Sequence, residues 1–372
     1  MAFVNTKNII GEQALFDALV SHQITEFNDD MVTELGVQAL GHQENLRSVN
    51  FPSLTRIGQS AFTNCPNLET IDIGGLLTLF TTPGLSGSPL LKALILRNTS
   101  GVSRTSNSSS WLERTTFAML SGFIYVPRSL LSSYKPQYTG NNYWTPYRRA
   151  IRAIEDMPIL DAETINLTWT QIKSMIDDES FFSDGYDVED LKKVTYTDGT
   201  TSHTVYFEIA KIDTTNKYVD FVLVNPSELS PMSNSSMVAY SDSLAKARLD
   251  AIYNNELPSD LKAAITPITK PYYKFDGEIE YVTAPLWMLN TKDVNYTSSY
   301  LKESEGENYT IFDSIGKRVK FSQNTGEVGA WCLGSAQNAT KYMAVSTSGQ
   351  TASQSPTTNG YLVFGFRIQK ST

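Results

Sequence analysis

The sequence predicts an α+β protein in two parts: a short solenoid of stacked repeats, then a mixed domain of strands and helices. Three observations carry this. Apolar positions recur at a fixed offset between residues 35 and 73. The pattern changes near residue 157, after "IRAIEDMP". Beyond that point hairpin, helical and short-strand patterns alternate, which is the order of an α+β domain.

The offset is clearest when "LGVQALGHQENLRSVNF" (35–51) is set under "IGQSAFTNCPNLETIDI" (57–73). Leu35 matches Ile57, Gly36 matches Gly58, Ala39 matches Ala61 and Leu40 matches Phe62. Asn45 matches Asn67, Leu46 matches Leu68, Val49 matches Ile71 and Phe51 matches Ile73, each 22 residues on. A weaker copy follows at an offset of 23 through Phe80, Leu85, Leu91, Leu94 and Leu96. A degenerate one surrounds Phe117 and "GFIYVP". A period of about 20–29 with an L-x-x-L-x-L core reads as a leucine-rich repeat. "LETIDI" alternates apolar and polar residues, so it predicts a short strand with one buried face. The "AF" pair fills the inside of the preceding turn. Neither can bury its face alone, so the copies must stack. Cys65 falls at the bend and reads as a small buried thiol, which is inert, rather than as a nucleophile.

"LTRIGQSAFTNCPNLETIDI" resembles the BspA type of leucine-rich repeat, found in surface and phage proteins of Gram-positive gut bacteria. Residues 123–155 resemble the closing segment of such arrays, through Tyr125, Val126, Pro127, Tyr134, Lys135, Trp144 and Ile151. Physically this is a cap over the last apolar face of a solenoid. The expected module covers residues 30–156. Before it, Ile9, Ile10, Leu15, Phe16, Leu19 and Val20 have helical spacing. Residues 1–29 are therefore expected to form an N-terminal helix, either a solenoid cap or a docking element for a larger assembly.

The second part is expected over residues 157–372. "KKVTYTDGT" and "HTVYFEIAKID" predict a hairpin turning at "TDGT". "YVDFVLVN" is a further strand. "SDSLAKARLDAIYNNEL" predicts a helix with Leu244, Ala247, Arg248, Ala251 and Ile252 on one face, and "LPSDLKAAI" begins the next. "EYVTAPLWML", "AWCLGSA", "YMAVSTSG" and "GYLVFGFRI" predict short strands. The order of "TWTQIKSMI", the hairpin, "MSNSS", "LPSDLKAAITPITK", "LWMLNTKDV" and the closing strands is similar to a family common in phage tail and surface proteins. That resemblance, over residues 165–370, implies a C-type-lectin-like fold. The family's closing motif begins W-W-L-R-S. Here Cys332 and Gly334 stand at its second and fourth positions. The same fold includes the enzymes that generate formylglycine, whose site needs paired cysteines. Cys332 has no such partner in this half.

Composition excludes several functions. Net charge is −9 and no long Lys or Arg run occurs, which argues against nucleic-acid binding. Two cysteines far apart imply no disulfide framework, and His22, His42 and His203 lack metal-ligand spacing. No apolar run approaches the ~20 residues that span a bilayer. The N-terminus carries polar residues where a signal peptide needs an apolar core, so synthesis as a soluble intracellular chain is expected. No nucleophile elbow, zinc-protease helix, P-loop or C-x-x-C occurs. Asp184, Asp187, Glu189 and Asp190 make an acid-rich stretch without the oxygen pattern of a calcium loop. Glu278 and Glu280 could serve a glycosidase only if space separates them suitably. No cofactor and no metal are expected.

Binding remains. "GSAQNATK" and "STSGQTASQSPTTNG" read as polar loops between firm strands, a usual recognition surface. By resemblance to lectin-like domains of phage tail tips, the expected ligand residues are Asn338, Lys341, Tyr342, Gln350, Ser353, Gln354, Thr357 and Asn359. The resemblance implies a non-enzymatic phage virion protein, a tail or head fibre or receptor-binding subunit released by lysis. Other virion proteins would hold its N-terminal region. A host surface protein or glycan would meet its C-terminal domain, with avidity from a homotrimer. A bacterial surface adhesin and a cell-wall carbohydrate hydrolase are the alternatives.

Overall fold

A computed structural model of the chain describes residues 24–75, 88–101, 120–134, 144–157, 162–197, 199–295, 306–325 and 328–372, with 9–10, 78–79, 103–104 and 117. It divides into two compact units, Met1–Ala162 and Glu163–Thr372. The division falls a few residues beyond the expected boundary.

The first unit is a β-rich solenoid with few helices. Among its described residues a six-stranded sheet contains β1 (Glu26–Asn28), β2 (Ser48–Phe51), β3 (Thr70–Ile73), β4 (Ala93–Leu96), β5 (Phe123–Val126) and β6 (Ile151–Ala153), stacked in chain order. Every neighbouring pair is parallel. The register reproduces the repeat: Phe27 pairs with Val49, Val49 with Ile71 and Ile71 with Leu94. These side chains are buried, as are Leu46, Leu68, Phe51 and Ile73. The turns stack as well. Leu40 N donates to Ala61 O at 2.8 Å, and His42 N to Thr63 O at 2.8 Å. Ala39, Ala61, Leu40 and Phe62 fill the interior of those turns.

The stacking leaves no room at Gly58. A Cβ there would lie 2.5 Å from the carbonyl of Gly36, its counterpart one repeat earlier. Gly58→Ala should force the two turns apart and destabilise the unit by about 1–3 kcal/mol, read as a lower midpoint in denaturant. An unchanged midpoint would mean that the turns do not stack this closely.

Two expectations about this unit change. Ile9–Ile10 is not helical but a short strand, pairing in parallel with Glu34–Leu35, which pairs in turn with Arg56–Ile57. Two adjacent β-branched residues suit a strand, and the stack supplies main-chain partners that a sequence pattern cannot see. Glu26–Asn28 is also a strand, so the repeat ladder begins before residue 30. Leu15, Phe16, Leu19 and Val20 lie outside the described residues, as do Phe80, Leu85 and Lys135. The array closes on α1 (Leu131–Tyr134), with Tyr134 and Trp144 packed at 5.4 Å, and on β6.

The second unit holds two five-stranded sheets among its described residues. The first contains β7 (Leu191–Thr197), β8 (Ser202–Asp213), β9 (Tyr218–Leu223), β18 (Phe364–Gln369) and β13 (Trp287–Met288), in that spatial order. The second orders β10 (Leu229–Ser230), β17 (Gly360–Leu362), β14 (Trp331–Asn338), β15 (Lys341–Val345) and β16 (Thr351–Gln354). A separate hairpin joins β11 (Ile268–Tyr273) to β12 (Ile279–Ala284). Helix α2 (Trp169–Asp177) opens with a capping box between Thr168 and Gln171 and buries Trp169, Ile172 and Ile176. Trp169 meets Phe221 at 5.3 Å and Phe366 at 5.5 Å. The predicted hairpin is β7–β8.

Helix α3 (Leu244–Ala251) buries Ala245 and Leu249, with Ile252 just beyond, not Leu244, Ala247, Arg248 and Ala251. Arg248 pairs instead with Glu228 and Glu256, so its charge is met outside the core that Ala245 and Leu249 enter. Helix α4 (Ser259–Ala264) follows.

Candidate functional site

The expected ligand residues do not sit on long loops. "GSAQN" ends β14, and "TASQ" is β16, an edge strand paired with β15 from Tyr342↔Gln354 to Val345↔Thr351. Ser, Thr and Gln read as loop residues, yet an edge strand with a half-exposed face accommodates them. What remains are three tight turns. The antiparallel register places the β14–β15 turn and the turn after Gln354 at one end of the sheet. The Ser346–Gln350 turn lies at the other.

Two expected residues therefore converge, Asn338 and Lys341, which pair with each other across the turn and are both exposed. Thr357, also exposed, lies in the connection from β16 to β17, and exposed Asn359 precedes Gly360 at the opposite end of β14, where Tyr361 pairs with Trp331. Asn338 Oδ1 accepts from Thr340 N at 2.9 Å and from its Oγ1 at 3.0 Å, which rigidifies the first turn. Ser355 and Thr357 hydroxyls meet at 3.2 Å in the second. Pro356 O accepts from Met232 N at 3.0 Å and from Ser233 N at 2.9 Å, which ties the β16–β17 connection to the 232–236 segment. Asn234, Ser235 and Ser236, which the sequence reading did not single out as ligand residues, add three exposed polar side chains there. Their only sequence signal was the polar run "MSNSS".

The other expected residues separate from this cluster. Gln350 is exposed at the opposite end, and Ser353 is half-buried on β16. Tyr342 is 1% exposed; its hydroxyl donates to Val238 O, so its role is to anchor the core. Gln354 turns inward to Cys332 Sγ. Local packing accounts for the residues at these two positions, Cys332 and Gly334. Cys332 packs against Gly360 and Gln354, and a Cβ at Gly334 would lie 2.4 Å from the Tyr272 ring.

Burial pushes the Cys332 thiol up to about 12, against the opposing Gln354 bond. Burial raises Cys65 to about 11 against bonds from the Gln43 and His42 backbone, while its Sγ donates to Leu40 O at 3.0 Å. Both thiols should resist a thiol-specific reagent in the native chain at pH 8 and react after unfolding. Rapid native labelling of either would contradict their burial.

A second region, absent from the expected set, holds the charges. β8, β9 and β18 place Lys211, Asp220 and Arg367 in one cross-strand row. Asp220 is fully buried and accepts Arg367 Nε at 2.7 Å, Nη2 at 2.8 Å and Tyr309 OH at 2.9 Å. Burial favours the neutral form of Arg367, but the paired bonds to Asp220 outweigh it and hold the guanidinium charged. The Arg367 guanidinium also lies 3.4 Å from the Tyr218 ring centre. Lys270 pairs with fully buried Asp293 and stands 4.2 Å from the Trp287 ring centre. Asp293 also receives Asn290 N at 2.9 Å and Glu307 N at 3.0 Å. Glu307 pairs with Lys211 and accepts Tyr218 OH at 3.1 Å. Burial works against its charged form, yet these bonds hold its carboxyl below the ordinary carboxylate range.

These groups surround a cleft of about 240 Å³ lined by Ile268, Thr269, Lys270, Pro271, Gly306, Glu307, Tyr309 and Arg367. Among the described residues no three His, Cys, Asp or Glu side chains gather as metal ligands. In the acid-rich stretch Asp190 instead accepts from Asp187 N and Thr164 Oγ1. Glu278 bonds Lys274, whereas Glu280 receives the Tyr240 and Ser241 backbone, so they do not face a common substrate space. No helix among the described residues is long and apolar enough to cross a membrane.

Residues 2–110 match the BspA type leucine rich repeat region, in six copies. The match begins well before residue 30, in line with the early strands. Residues 216–363 match a domain of unknown function, DUF6273. No curated protein and no solved structure matches the chain.

Proposed function

We propose that the chain is a virion structural protein of a bacteriophage, a tail or head fibre or receptor-binding subunit, whose second unit is a C-type-lectin-like domain that attaches to the host surface. The observation that carries the attachment role is the end of the second sheet. One short turn, braced by its own hydrogen bonds, presents Asn338 and Lys341 side by side. Lys341 is exposed, and its side chain makes no hydrogen bond or ion pair among the described residues. Unused donors and acceptors on a rigid frame bind a polar ligand without first breaking internal bonds. The lectin-like reading draws support from β9, an early strand of the unit, pairing antiparallel with its last strand, β18. A repeat module that stacks into a firm solenoid suits a spacer or a joint to other virion proteins, and a homotrimer would multiply weak contacts.

Antibody-labelled electron microscopy of particles from the strain that carries the gene tests the assignment. Label on virions is expected. Label on bacterial walls and never on virions would favour a surface adhesin instead. Release of soluble sugar from purified host wall by the chain would mark a hydrolase and overturn a purely binding role.

A further inference from the structure

Strand β11 carries Lys270 on its inward face, and the segment after β13 carries Asp293. The two side chains are 6% and 0% exposed. Lys270 Nζ stands 2.5 Å from Asp293 Oδ2. Oδ2 is bonded to Cγ, so the amine is held at about the 3–3.5 Å from which a nucleophile attacks. The buried rings of Trp287 and Tyr309 lie 4.2 and 5.7 Å from Nζ and help to keep the pair dry. Lys320 and Glu208 are as deeply buried, but they stand 3.5 Å apart, and Lys320 Nζ donates to Leu223 O.

The main chain holds the carboxylate ready for reaction. Glu307 N donates to Asp293 Oδ1 at 3.0 Å, and Asn290 N to Oδ2 at 2.9 Å. A backbone N–H fixed on Oδ1 stabilises the negative charge that this oxygen gains when a nucleophile adds to Cγ. Gly306 lets the chain come this close. A Cβ there would lie 2.4 Å from Asp293 Oδ1 and from Asn290 Oδ1.

We infer that Lys270 and Asp293 join in an intramolecular amide bond, a covalent staple between the β11–β12 hairpin and the segment after β13. Nζ passes one proton to Oδ2 along their hydrogen bond, which leaves a neutral amine beside an uncharged carboxyl group in the interior. The nitrogen lone pair attacks Cγ and forms the C–N bond. Nζ gives a second proton to Oδ2 as the Cγ–Oδ2 bond breaks, and Oδ2 departs as water. Oδ1 re-forms the carbonyl, and the amide nitrogen keeps the third proton. The ammonium and carboxylate charges cancel, and no oxidant, reductant or outside acid takes part. Fixed proximity of the two groups replaces chemical activation. The cleft that Lys270 lines gives the water an exit. The staple does not depend on the attachment role, since it is a property of the chain itself.

Mass spectrometry of the purified full chain, denatured and reduced, tests it. The chain should be lighter than its sequence by one water. Proteolysis should release a branched peptide that joins the Lys270 and Asp293 segments. Lys270→Arg should restore the full sequence mass. The branched peptide comes from the unaltered chain, so the test holds even if that variant misfolds. Full sequence mass in the unaltered chain would overturn the inference, as would water loss that persists in Lys270→Arg. Loss of ammonia, the mark of a link from Lys270 to Asn290 instead, would also overturn it. So would a water loss confined to an unbranched peptide, as from aspartate cyclisation at Asp276–Gly277.

Discussion

Asp220→Ala should destabilise the second unit by about 3–5 kcal/mol, the usual cost of removing one partner of a buried ion pair. The cost arises from what stays behind. Arg367, with its side chain 14% exposed, would keep its charge and lose both of its bonds to Asp220. The buried Tyr309 hydroxyl would lose its acceptor. The row Lys211–Asp220–Arg367 would then hold two adjacent cations. Replacing Asp220 and Arg367 together by Leu and Met should be far milder, because no charge is left unpaired. Urea unfolding of the two variants checks this. A loss below about 1 kcal/mol for Asp220→Ala would mean that the pair is not buried as described.

Phe62→Ala should cost the solenoid about 3–5 kcal/mol. Phe62 is 1% exposed and plugs the turn between Ile57 and Cys65. Its carbonyl also accepts Ser88 Oγ at 3.2 Å from the following repeat. A stack in which each copy touches only its neighbours has no other residue to fill the hole, so the cavity weakens both adjoining interfaces. A melt followed by far-UV circular dichroism should show an earlier transition. The unaltered curve of a surface substitution would contradict the assignment of the "AF" pair to the interior.

The solenoid was the most legible part of the sequence. An offset of 22 needs only periodicity, and the parallel register Phe27–Val49–Ile71 follows from it. Around Ile9 and Ile10 the structure holds a strand rather than the expected helix, because a helical spacing of apolar residues is also compatible with short strands once a stack offers partners. The polar stretch at 346–359 misled in the opposite direction. Composition marked a loop, but pairing of Thr351–Gln354 with β15 made it an edge strand and left only its ends free. Tyr342 illustrates the limit of residue type as a signal. An aromatic beside a polar turn suits a binding surface, and only the fold shows its hydroxyl spent on Val238.

The charged cleft carries a signal in the sequence. Asp220 in "YVDFVLV", Lys270 in "ITKPYY" and Arg367 in "FGFRI" each interrupt an apolar strand. A charge within such a strand must find a partner in the fold. Sequence alone does not say which carboxylate meets which cation, because the pairs join segments far apart in the chain, Asp220 with Arg367 and Lys270 with Asp293.

The attachment role is tested most directly by the binding of the purified full chain to host cells, with and without Asn338 and Lys341 changed together to Ala. These two side chains are exposed, so the fold should survive, which the denaturant midpoint verifies. The account predicts binding by the unaltered chain and a loss of at least about tenfold in the double variant, equivalent to about 1.4 kcal/mol. Equal binding by the two chains, or none by either, would contradict it.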